Sequence, residues 1–428
     1  MKRIVNTLDK VNRRQRTGAV LLLCAAATIV LPAQTFTTLH SFDGSDGAWP
    51  GAPLTQATNG SLYGTTQEGG THNDGTVFEI SPGGAFKTVY SFLCLLSGCA
   101  DGATPFAGLV QATNGDFYGT TEAAAASIDG TVFKITASGV LTTLYAFPCQ
   151  SDCPDGAGPY AGLVQASNGY LYGTTGAGGT NSYGTVFRIA PSGALAKLYS
   201  FCAQSGCPDG GEPEGTLVQA SNGDLYGTTL IGGDQNSGTV FKITPSGTLT
   251  TLYSFARKAV VPTAKPLTRV LSRALMGTCT GQRNSAETAL VVIFKITPTG
   301  TLTTLHTFDT TDGWQPAAGL FQATNGDFYG TTYYSGVNNA GTVFSLSVGL
   351  APFVMTRPAS GETGAFVEIL GSDLTGATSV TFNGTAATFT VVSRTLITTS
   401  VPAGATTGKI EVVTPGGRLS SNKSFVVP

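Results

Sequence analysis

The first residues that could do chemistry are aspartates that recur along the chain, each directly before a glycine. They are Asp46, Asp101, Asp155, Asp209 and Asp312. Oxygen ligands from loops suit Ca²⁺, whereas Asp-Gly is also a frequent turn sequence because glycine adopts positive φ without steric cost. Most of these loops offer a single carboxylate, and a cation site gathers several. The pattern therefore favours turns over calcium, and the sequence predicts no metal site and no cofactor.

Close cysteine pairs are the second candidate, because thiolates bind metals and also form disulfides. Six of the eight cysteines form such pairs, namely Cys94/Cys99, Cys149/Cys153 and Cys202/Cys207. A structural zinc site needs four ligands, but each pair supplies two and the chain has only three histidines. The sequence favours three disulfides, which are typical of exported proteins, over metal binding.

Histidines and glutamates are the remaining candidates for catalysis. A Ser-His-Asp relay needs a histidine beside a singular serine and acid, yet His40 and His306 occupy a place that is tyrosine in other units. A glycosidase needs two carboxyl groups flanking one bond, and irregularly placed glutamates could supply them: Glu68, Glu122, Glu212 and Glu214. Solvated surface side chains are the simpler interpretation. The sequence therefore predicts no catalytic residue and keeps a polysaccharide-active hydrolase or lyase as an alternative.

All of these residues lie within a repeat whose fold must position them. Each unit contains the phrase Asn-Gly-x-x-Tyr-Gly-Thr-Thr followed by Gly-Thr-Val-Phe. Its tyrosines Tyr63, Tyr118, Tyr172 and Tyr226 are spaced by 55, 54 and 54 residues. Such a period predicts repeated copies of one supersecondary unit. The third copy holds four strand candidates, Ala161–Ala166, Tyr170–Thr175, Gly184–Ile189 and Leu195–Phe201, and Asn168-Gly169 predicts a type I′ hairpin between the first two.

The third strand of each unit has apolar side chains on both faces, so the sheet must be covered on both sides. Four-stranded sheets packed face to face around an axis meet this requirement, which predicts an all-β fold with a β-propeller over residues 34–348. A lone copy of the last strand, Phe36–Phe42, precedes the first unit, and the final unit stops after Gly341–Ser347 without that strand. We therefore predict six four-stranded blades, with the N-terminal strand closing the last one.

The fifth unit lacks the phrase between Phe255 and Phe294, although its length is kept. Residues 256–292 hold six of the Lys and Arg of the chain, and their codons, taken one base out of step, are compatible with the missing phrase. We interpret the segment as a compensated frameshift, in the gene or in its sequencing, rather than as an inserted functional loop. Blade five should lose its inner strands and be poorly ordered, and Cys279 should carry no function.

The repeated phrase resembles the GloVer tandem repeat of exported bacterial proteins over residues 36–348. The tail, Ala351–Pro428, resembles an IPT/TIG domain through Pro358–Gly364, Val367–Gly371, Val380–Gly384 and Val413–Gly417. The first resemblance implies a secreted or surface protein, and the second implies an immunoglobulin-like sandwich that serves as a spacer or contact module. Neither supplies catalytic residues. Short alternating strands in the tail independently favour a β-sandwich.

Residues 1–33 combine a basic front with the apolar stretch Ala19–Leu31, which predicts a signal peptide cleaved near Ala33. An N-terminal membrane anchor is the alternative. Without these residues the chain has 17 basic and 24 acidic side chains, a formal charge of −7. Nucleic acid is therefore not an expected partner. We expect a secreted, extracellular or cell-surface location, or the periplasm, with no stable membrane span after cleavage.

The loops after Tyr-Gly-Thr-Thr differ between units and should gather on one face of the ring, where binding residues usually lie. Tyr183, Tyr333 and Tyr334 are aromatic there, and such rings stack on sugars. The leading hypothesis is a non-enzymatic binding, adhesion or scaffold protein that contacts a glycan or a surface protein. A non-functional product of a frameshifted gene is a further alternative.

Overall fold

The fold is a β-propeller followed by a β-sandwich, as seen in a computed structural model. The structure describes residues 34–94, 99–123, 128–150, 152–220, 222–255, 276–280, 291–296, 302–309, 311–336 and 338–428. These residues form 31 strands and no helix, so none of them lies in a helix that could cross a membrane. The predicted signal peptide, residues 1–33, lies outside the described residues.

Five blades contain four antiparallel strands each, numbered from the channel outwards in blades 1 to 4. Blade 1 comprises β2 (Thr55–Gln56), β3 (Leu62–Thr66), β4 (Thr76–Ile80) and β5 (Phe86–Ser91). Blade 2 comprises β6 (Val110–Gln111), β7 (Phe117–Thr121), β8 (Ile128–Ile135) and β9 (Leu141–Pro148). Blade 3 comprises β10 (Val164–Gln165), β11 (Leu171–Thr175), β12 (Thr185–Ile189) and β13 (Leu195–Ser200). Blade 4 comprises β14 (Val218–Gln219), β15 (Leu225–Thr228), β16 (Thr239–Ile243) and β17 (Leu249–Ser254).

Blade 5 comprises β18 (Met276–Thr280), β19 (Val291–Ile296) and β20 (Leu302–Thr307). Blade 6 comprises β21 (Phe321–Gln322), β22 (Phe328–Thr332), β23 (Thr342–Ser347) and, outermost, β1 (Thr35–Ser41). Pairing of β1 with β23, from Thr35 opposite Ser347 to Ser41 opposite Thr342, confirms that the N-terminal strand closes the last blade. The six-bladed, all-β architecture is thus the one that the repeat predicts.

The glycine of Tyr-Gly-Thr-Thr explains how each blade is packed. Gly64 lies opposite Phe78 in the ladder, and a Cβ at Gly64 would come within 2.5 Å of the Phe78 ring. The same close approach recurs at Gly119, Gly173, Gly227 and Gly330. Glycine is required because the phenylalanine ring of the third strand folds back over the second strand, where any larger side chain would clash.

The hairpin between the first two strands differs from the prediction. Gly169 has φ of 82°, but Asn168 is not among the residues with positive φ, so the turn is not type I′. Instead Gly169 N–H donates to Ala166 C=O and Ala166 N–H donates to Tyr170 C=O, at 2.9 Å each, as in a type I turn followed by a glycine bulge. Asn168 holds this shape, because its Oδ1 accepts from Tyr170 N–H at 3.2 Å and its Nδ2 donates to the Tyr172 hydroxyl at 2.8 Å.

A glutamine in each short inner strand ties its blade to the preceding one. Gln111 Oε1 accepts from Thr58 N–H of blade 1 at 3.0 Å, while its Nε2 donates to Gly115 C=O of its own hairpin at 2.9 Å. The same link joins blades 2 and 3, blades 3 and 4, and blades 6 and 1. Buried apolar clusters fill the corresponding interfaces and also the one between blades 5 and 6.

Blade five retains a second strand that the prediction had removed. Its described residues form a sheet of three strands. In β18, Gly277 lies opposite Phe294 in the register that Gly227 and Phe241 occupy in blade 4. Met-Gly-Thr therefore takes the place of Tyr-Gly-Thr, because it offers a glycine where the facing phenylalanine requires one. Most of residues 256–292 lie outside the described residues, so the poor order expected of them stays a prediction.

The C-terminal sandwich packs two four-stranded antiparallel sheets around one apolar core. One sheet contains β24 (Met355–Arg357), β25 (Phe366–Leu370), β28 (Phe389–Ser393) and β29 (Leu396–Ser400). The other contains β26 (Ser379–Phe382), β27 (Thr385–Ala387), β30 (Ile410–Thr414) and β31 (Gly417–Ser420). This arrangement confirms the immunoglobulin-like fold predicted for the tail.

Arg357 connects the sandwich to the hairpin face of the propeller. Its Nη1 donates to Gln111 Oε1 at 2.8 Å, and its Nη2 donates to Gln56 C=O at 3.3 Å. On its own domain it lies opposite Glu368, with Nη1 3.8 Å from Oε2. Burial raises the pKa of Glu368 and the Arg357 charge opposes that rise. A buried ion pair thus lies between the two domains.

Replacing Arg357 by methionine should lower the unfolding free energy by about 3–5 kcal/mol, because the Glu368 carboxylate stays buried without its partner. Urea unfolding would measure this loss. The double variant Arg357→Met, Glu368→Leu is the control and should recover most of the loss, since no charge then remains buried. Equal losses in the single and double variants would contradict the ion pair as the cause.

Candidate functional site

The recurring aspartates hold the loops at one end of the blades. Tyr90 donates its hydroxyl to Asp101 Oδ2 at 2.7 Å, and burial together with this carboxylate raises the pKa of Tyr90. Tyr145 and Tyr199 make the same bond in the next two blades. The equivalent bonds of His40 to Asp46 and of His306 to Asp312 are each 2.8 Å. These histidines therefore replace the tyrosine of the repeat, as their position in the sequence suggests.

A pair of threonines, one at the end of the second strand and one at the start of the third, holds the Asp-Gly turn by hydrogen bonds. Thr66 and Thr76 share a hydrogen bond of 2.8 Å between their hydroxyls, and the Thr76 hydroxyl also donates to Asp46 C=O at 3.3 Å. Four further blades repeat the pair. The aspartates thus have structural partners, and the described residues contain no group of three or more His, Cys, Asp or Glu side chains that could hold a metal ion.

The structure joins the six predicted cysteines as Cys94–Cys99, Cys149–Cys153 and Cys202–Cys207. Each bridge closes a loop of four or five residues between the last strand of one blade and the Asp-Gly turn of the next. A bridge over so short a loop stabilises mainly its own segment. The disulfides therefore fix the loops that surround the end of the channel.

Two loops from each blade meet at this end of the ring. Backbone bridges join the Asp-Gly loop to the loop after Thr-Thr, as between Ala48 and Glu68 in blade 1 and between Trp314 and Tyr334 in blade 6. A cavity of about 140 Å³ opens between the inner ends of blades 1 to 4. Its walls include Gly51, Phe106, Tyr160 and Glu214, the residues that follow the loop proline in the four blades. We call this opening, with Gln67, Glu122 and Tyr333 of the neighbouring loops, the channel mouth.

Tyr333 lies at the mouth, where blade 6 meets blade 1. Its hydroxyl donates to Gln67 Oε1 at 2.5 Å, and its ring stacks against Trp49 with 5.7 Å between centroids. Tyr334 packs edge-on against Tyr333 at 4.7 Å. Burial raises the pKa of Tyr333, and the charges of Glu68 and Glu122 act in the same direction. Two of the three tyrosines chosen from the sequence thus belong to one aromatic cluster beside the channel.

Tyr183, the third tyrosine chosen from the sequence, lies at the junction of blades 3 and 4. Its backbone C=O accepts from Glu212 N–H at 2.9 Å. Its ring covers Gly211, where a Cβ would come within 3.1 Å of Cδ1, and it remains 37% exposed. The structure therefore places Tyr183 in the same ring of loops, three blades away from Tyr333 and Tyr334.

Glu122, one of the irregularly placed glutamates of the sequence, lies close to Tyr160 of the next blade. Burial raises the pKa of Glu122, and the charges of Asp129 and Glu214 add to the rise. Burial and the same three carboxylates raise the pKa of Tyr160. The sequence did carry a signal, because the residue after Thr-Thr changes from blade to blade within an otherwise constant phrase and is Gln67, Glu122, Gly176, Leu230 or Tyr333. That variation is asymmetric, as a binding site requires.

A sequence model of the Gloeobacter/Verrucomicrobia repeat matches residues 28–111 and 93–291. The chain belongs to this family. A second model, of the IPT/TIG domain, matches residues 355–427, the sandwich. Both resemblances stated from the sequence are thereby confirmed. No curated protein matches the chain by sequence.

Among solved structures, the chain is similar to a protein of unknown function from Bacteroides thetaiotaomicron, with 14% identity and a TM-score of 0.41 over 74% of this chain and 76% of that one. It is also similar to an auxiliary nutrient binding protein from the same organism, with 13% identity and a TM-score of 0.43 over 74% and 76%. An auxiliary nutrient binding protein from Bacteroides ovatus gives 12% identity and a TM-score of 0.38 over 73% and 76%. Similarity at this level carries no information about function.

Proposed function

We propose that this protein is an exported, non-enzymatic binding or scaffold protein that engages a glycan at the channel mouth. The observation that carries the proposal is the mouth itself, where aromatic rings and carboxylates from different blades surround one opening. Aromatic faces stack on sugar rings, and carboxylates accept hydrogen bonds from sugar hydroxyls. The three disulfides fit an oxidising compartment outside the cytoplasm.

The scaffold favours binding because it holds these groups rigidly. Tyr333 is fixed by Gln67 and Trp49, and Tyr160 packs edge-on against Phe106 with 6.2 Å between centroids. Side chains that are ordered before the ligand arrives lose less conformational entropy on binding. The sandwich contacts the opposite face at blades 1, 2 and 6, whereas among the described residues it makes no such contact at the mouth.

We expect the protein to be retained by one or more polysaccharides in a panel of plant and bacterial polymers, without release of oligosaccharides. Tyr333→Ala and Tyr160→Ala should each weaken retention by about tenfold, or about 1.4 kcal/mol. Tyr253→Ala is the matched control, because Tyr253 is a 57% exposed tyrosine on the outer strand of blade 4. Unchanged retention in both mouth variants would remove the mouth as the binding site.

A polysaccharide hydrolase or lyase is the second candidate, and one observation favours it. Glu122 has a pKa raised by burial and lies near Asp129 and Glu214, so the mouth combines a carboxylic acid with further carboxylates. Glycosidases divide acid and nucleophile or base roles between two such groups. Released oligosaccharides, abolished by Glu122→Gln, would establish this activity and overturn the non-enzymatic proposal.

A further inference from the structure

Charge is distributed very unevenly over the propeller. The mouth-end loops of the five regular blades, residues 43–53, 67–74, 93–108, 122–129, 148–162, 176–183, 202–216, 230–237, 309–319 and 333–340, contain fifteen Asp and Glu and neither Lys nor Arg. Residues 256–292 of blade five, which hold six Lys and Arg, lie mostly outside the described residues. Lys134 and Lys242 on β8 and β16 each pair with an aspartate of their own hairpin. Lys197 on β13, the outermost strand of blade 3, donates from Nζ to Pro154 C=O of a mouth loop and not to a carboxylate. Among the described residues, no ion pair with Lys or Arg neutralises a mouth carboxylate.

These carboxylates repel one another at the mouth. Asp129 and Glu214 both disfavour the charged form of Glu122, which burial already disfavours. A cation placed among them would relieve this repulsion and would replace water that burial has removed. An anion would meet the opposite effect, so acidic polysaccharides are poor candidates for this opening.

Gln67 supplies an independent indication that a ligand completes the site. The side chain is 5% exposed, and its Nε2 has no hydrogen-bond partner although Oε1 accepts from Tyr333. Nε2 lies 2.6 Å from the position that a Cβ of Gly51 would occupy, and Gly51 lines the cavity where the next blades have Phe106 and Tyr160. A buried amide N–H without an acceptor costs about 1–3 kcal/mol. A ligand oxygen in the space beside Gly51 would accept a hydrogen bond from Gln67 Nε2 and remove this cost.

We propose that the channel mouth selects a glycan with free amino groups, whose ammonium lies among Glu122, Asp129 and Glu214 and whose hydroxyl or ring oxygen accepts from Gln67. This inference rests on the proposed function and names its ligand class. The aromatic rings of Tyr160 and Tyr333 lie beside the carboxylates and suit the apolar face of a pyranose. A lysine-rich peptide has the charge but lacks that rigid face, so the combination favours the amino sugar.

The test compares three probes by calorimetry at low salt: a glucosamine hexamer, the N-acetylglucosamine hexamer and a lysine hexapeptide. We expect the glucosamine hexamer to bind at least about tenfold more tightly than the acetylated one, because a charge-assisted hydrogen bond to a carboxylate is lost on acetylation. The advantage should shrink as salt is added, since partly exposed charges are screened. The lysine hexapeptide should bind more weakly than the glucosamine hexamer.

Glu122→Gln and Glu214→Gln should each reduce the preference for the free amine while leaving the acetylated probe unaffected. The matched control is Asp373→Asn, which removes a carboxylate from the sandwich at an exposed residue whose positive φ suits asparagine. Circular dichroism verifies that each variant is folded. Equal affinity for both hexamers would overturn the inference while the glycan proposal stands. Equal or tighter binding of the peptide would overturn it too, and failure of the whole polysaccharide panel would remove the proposed function.

Discussion

Replacing Phe42 by alanine is expected to lower the unfolding free energy of the propeller by about 3–5 kcal/mol, the usual loss for a large aromatic side chain in a core. Phe42 follows the closing strand β1 and is fully buried. Its ring packs against Phe78 and Phe86 of blade 1, with centroids 5.3 and 5.5 Å apart. The residue therefore seals the interface between the first and last blades, and its removal leaves a cavity there.

Phe255 provides a matched control, because it occupies the same position of the repeat at the end of β17. It is 41% exposed, whereas Phe42 and Phe201 are fully buried. Phe255→Ala should therefore cost less than about 1 kcal/mol. Urea unfolding followed by tryptophan fluorescence reports on the propeller, since both tryptophans, Trp49 and Trp314, lie in it. Similar small losses at Phe42 and Phe255 would indicate an open array in place of a closed ring.

The repeat made the architecture predictable because period, strand pattern and chain ends constrain it together. A fixed spacing of 54 or 55 residues identifies the unit, and apolar residues on both faces of strands such as β4 require sheets on both sides. The surplus strand before the first unit matches the strand missing from the last. Each of these signals is local in sequence, so no knowledge of distant contacts was needed.

The candidate site was less predictable, because it depends on which blades become neighbours at one point. Tyr333 and Gln67 are 266 residues apart and meet only when the ring closes. Glu122 and Tyr160 belong to successive blades, and their proximity depends on how one blade packs against the next. Sequence spacing located the loops and the aromatic residues in them, but it could not show that Glu122 is partly buried beside other carboxylates.

The wrong predictions also have physical causes. Asn-Gly is compatible with several hairpin turns. The Tyr172 hydroxyl accepts a hydrogen bond from Asn168 Nδ2, and this bond favours the type I turn with a glycine bulge. In blade five the prediction removed the inner strands because the repeated phrase is missing there, whereas β18 keeps a glycine, Gly277, opposite Phe294. A glycine facing the phenylalanine thus allows the second strand to pair although the rest of the phrase is absent.

Restoring the reading frame of residues 256–292 is expected to raise the unfolding free energy of the propeller by at least about 4 kcal/mol. On blade 4, Leu252, Tyr253 and Phe255 are 49%, 57% and 41% exposed. A regular neighbour would cover them, and each large apolar side chain that becomes buried contributes about 1.5–3 kcal/mol. A regular fifth unit would also bring an Asp-Gly turn, whose aspartate would accept a hydrogen bond from the Tyr253 hydroxyl as Asp209 does from Tyr199.

The control replaces residues 256–275 by a Gly/Ser linker of equal length, which removes five of the six basic residues of the segment, keeps β18 and β19, and should leave the stability unchanged. A sharper criterion comes from Phe255 itself. In the restored chain Phe255→Ala should cost about 3–5 kcal/mol, as at Phe42, because a cavity would then open in a complete interface. A restored chain that gains stability while Phe255→Ala stays nearly neutral would contradict the missing interface as the cause, and a chain that gains none would refute the frameshift interpretation of blade five.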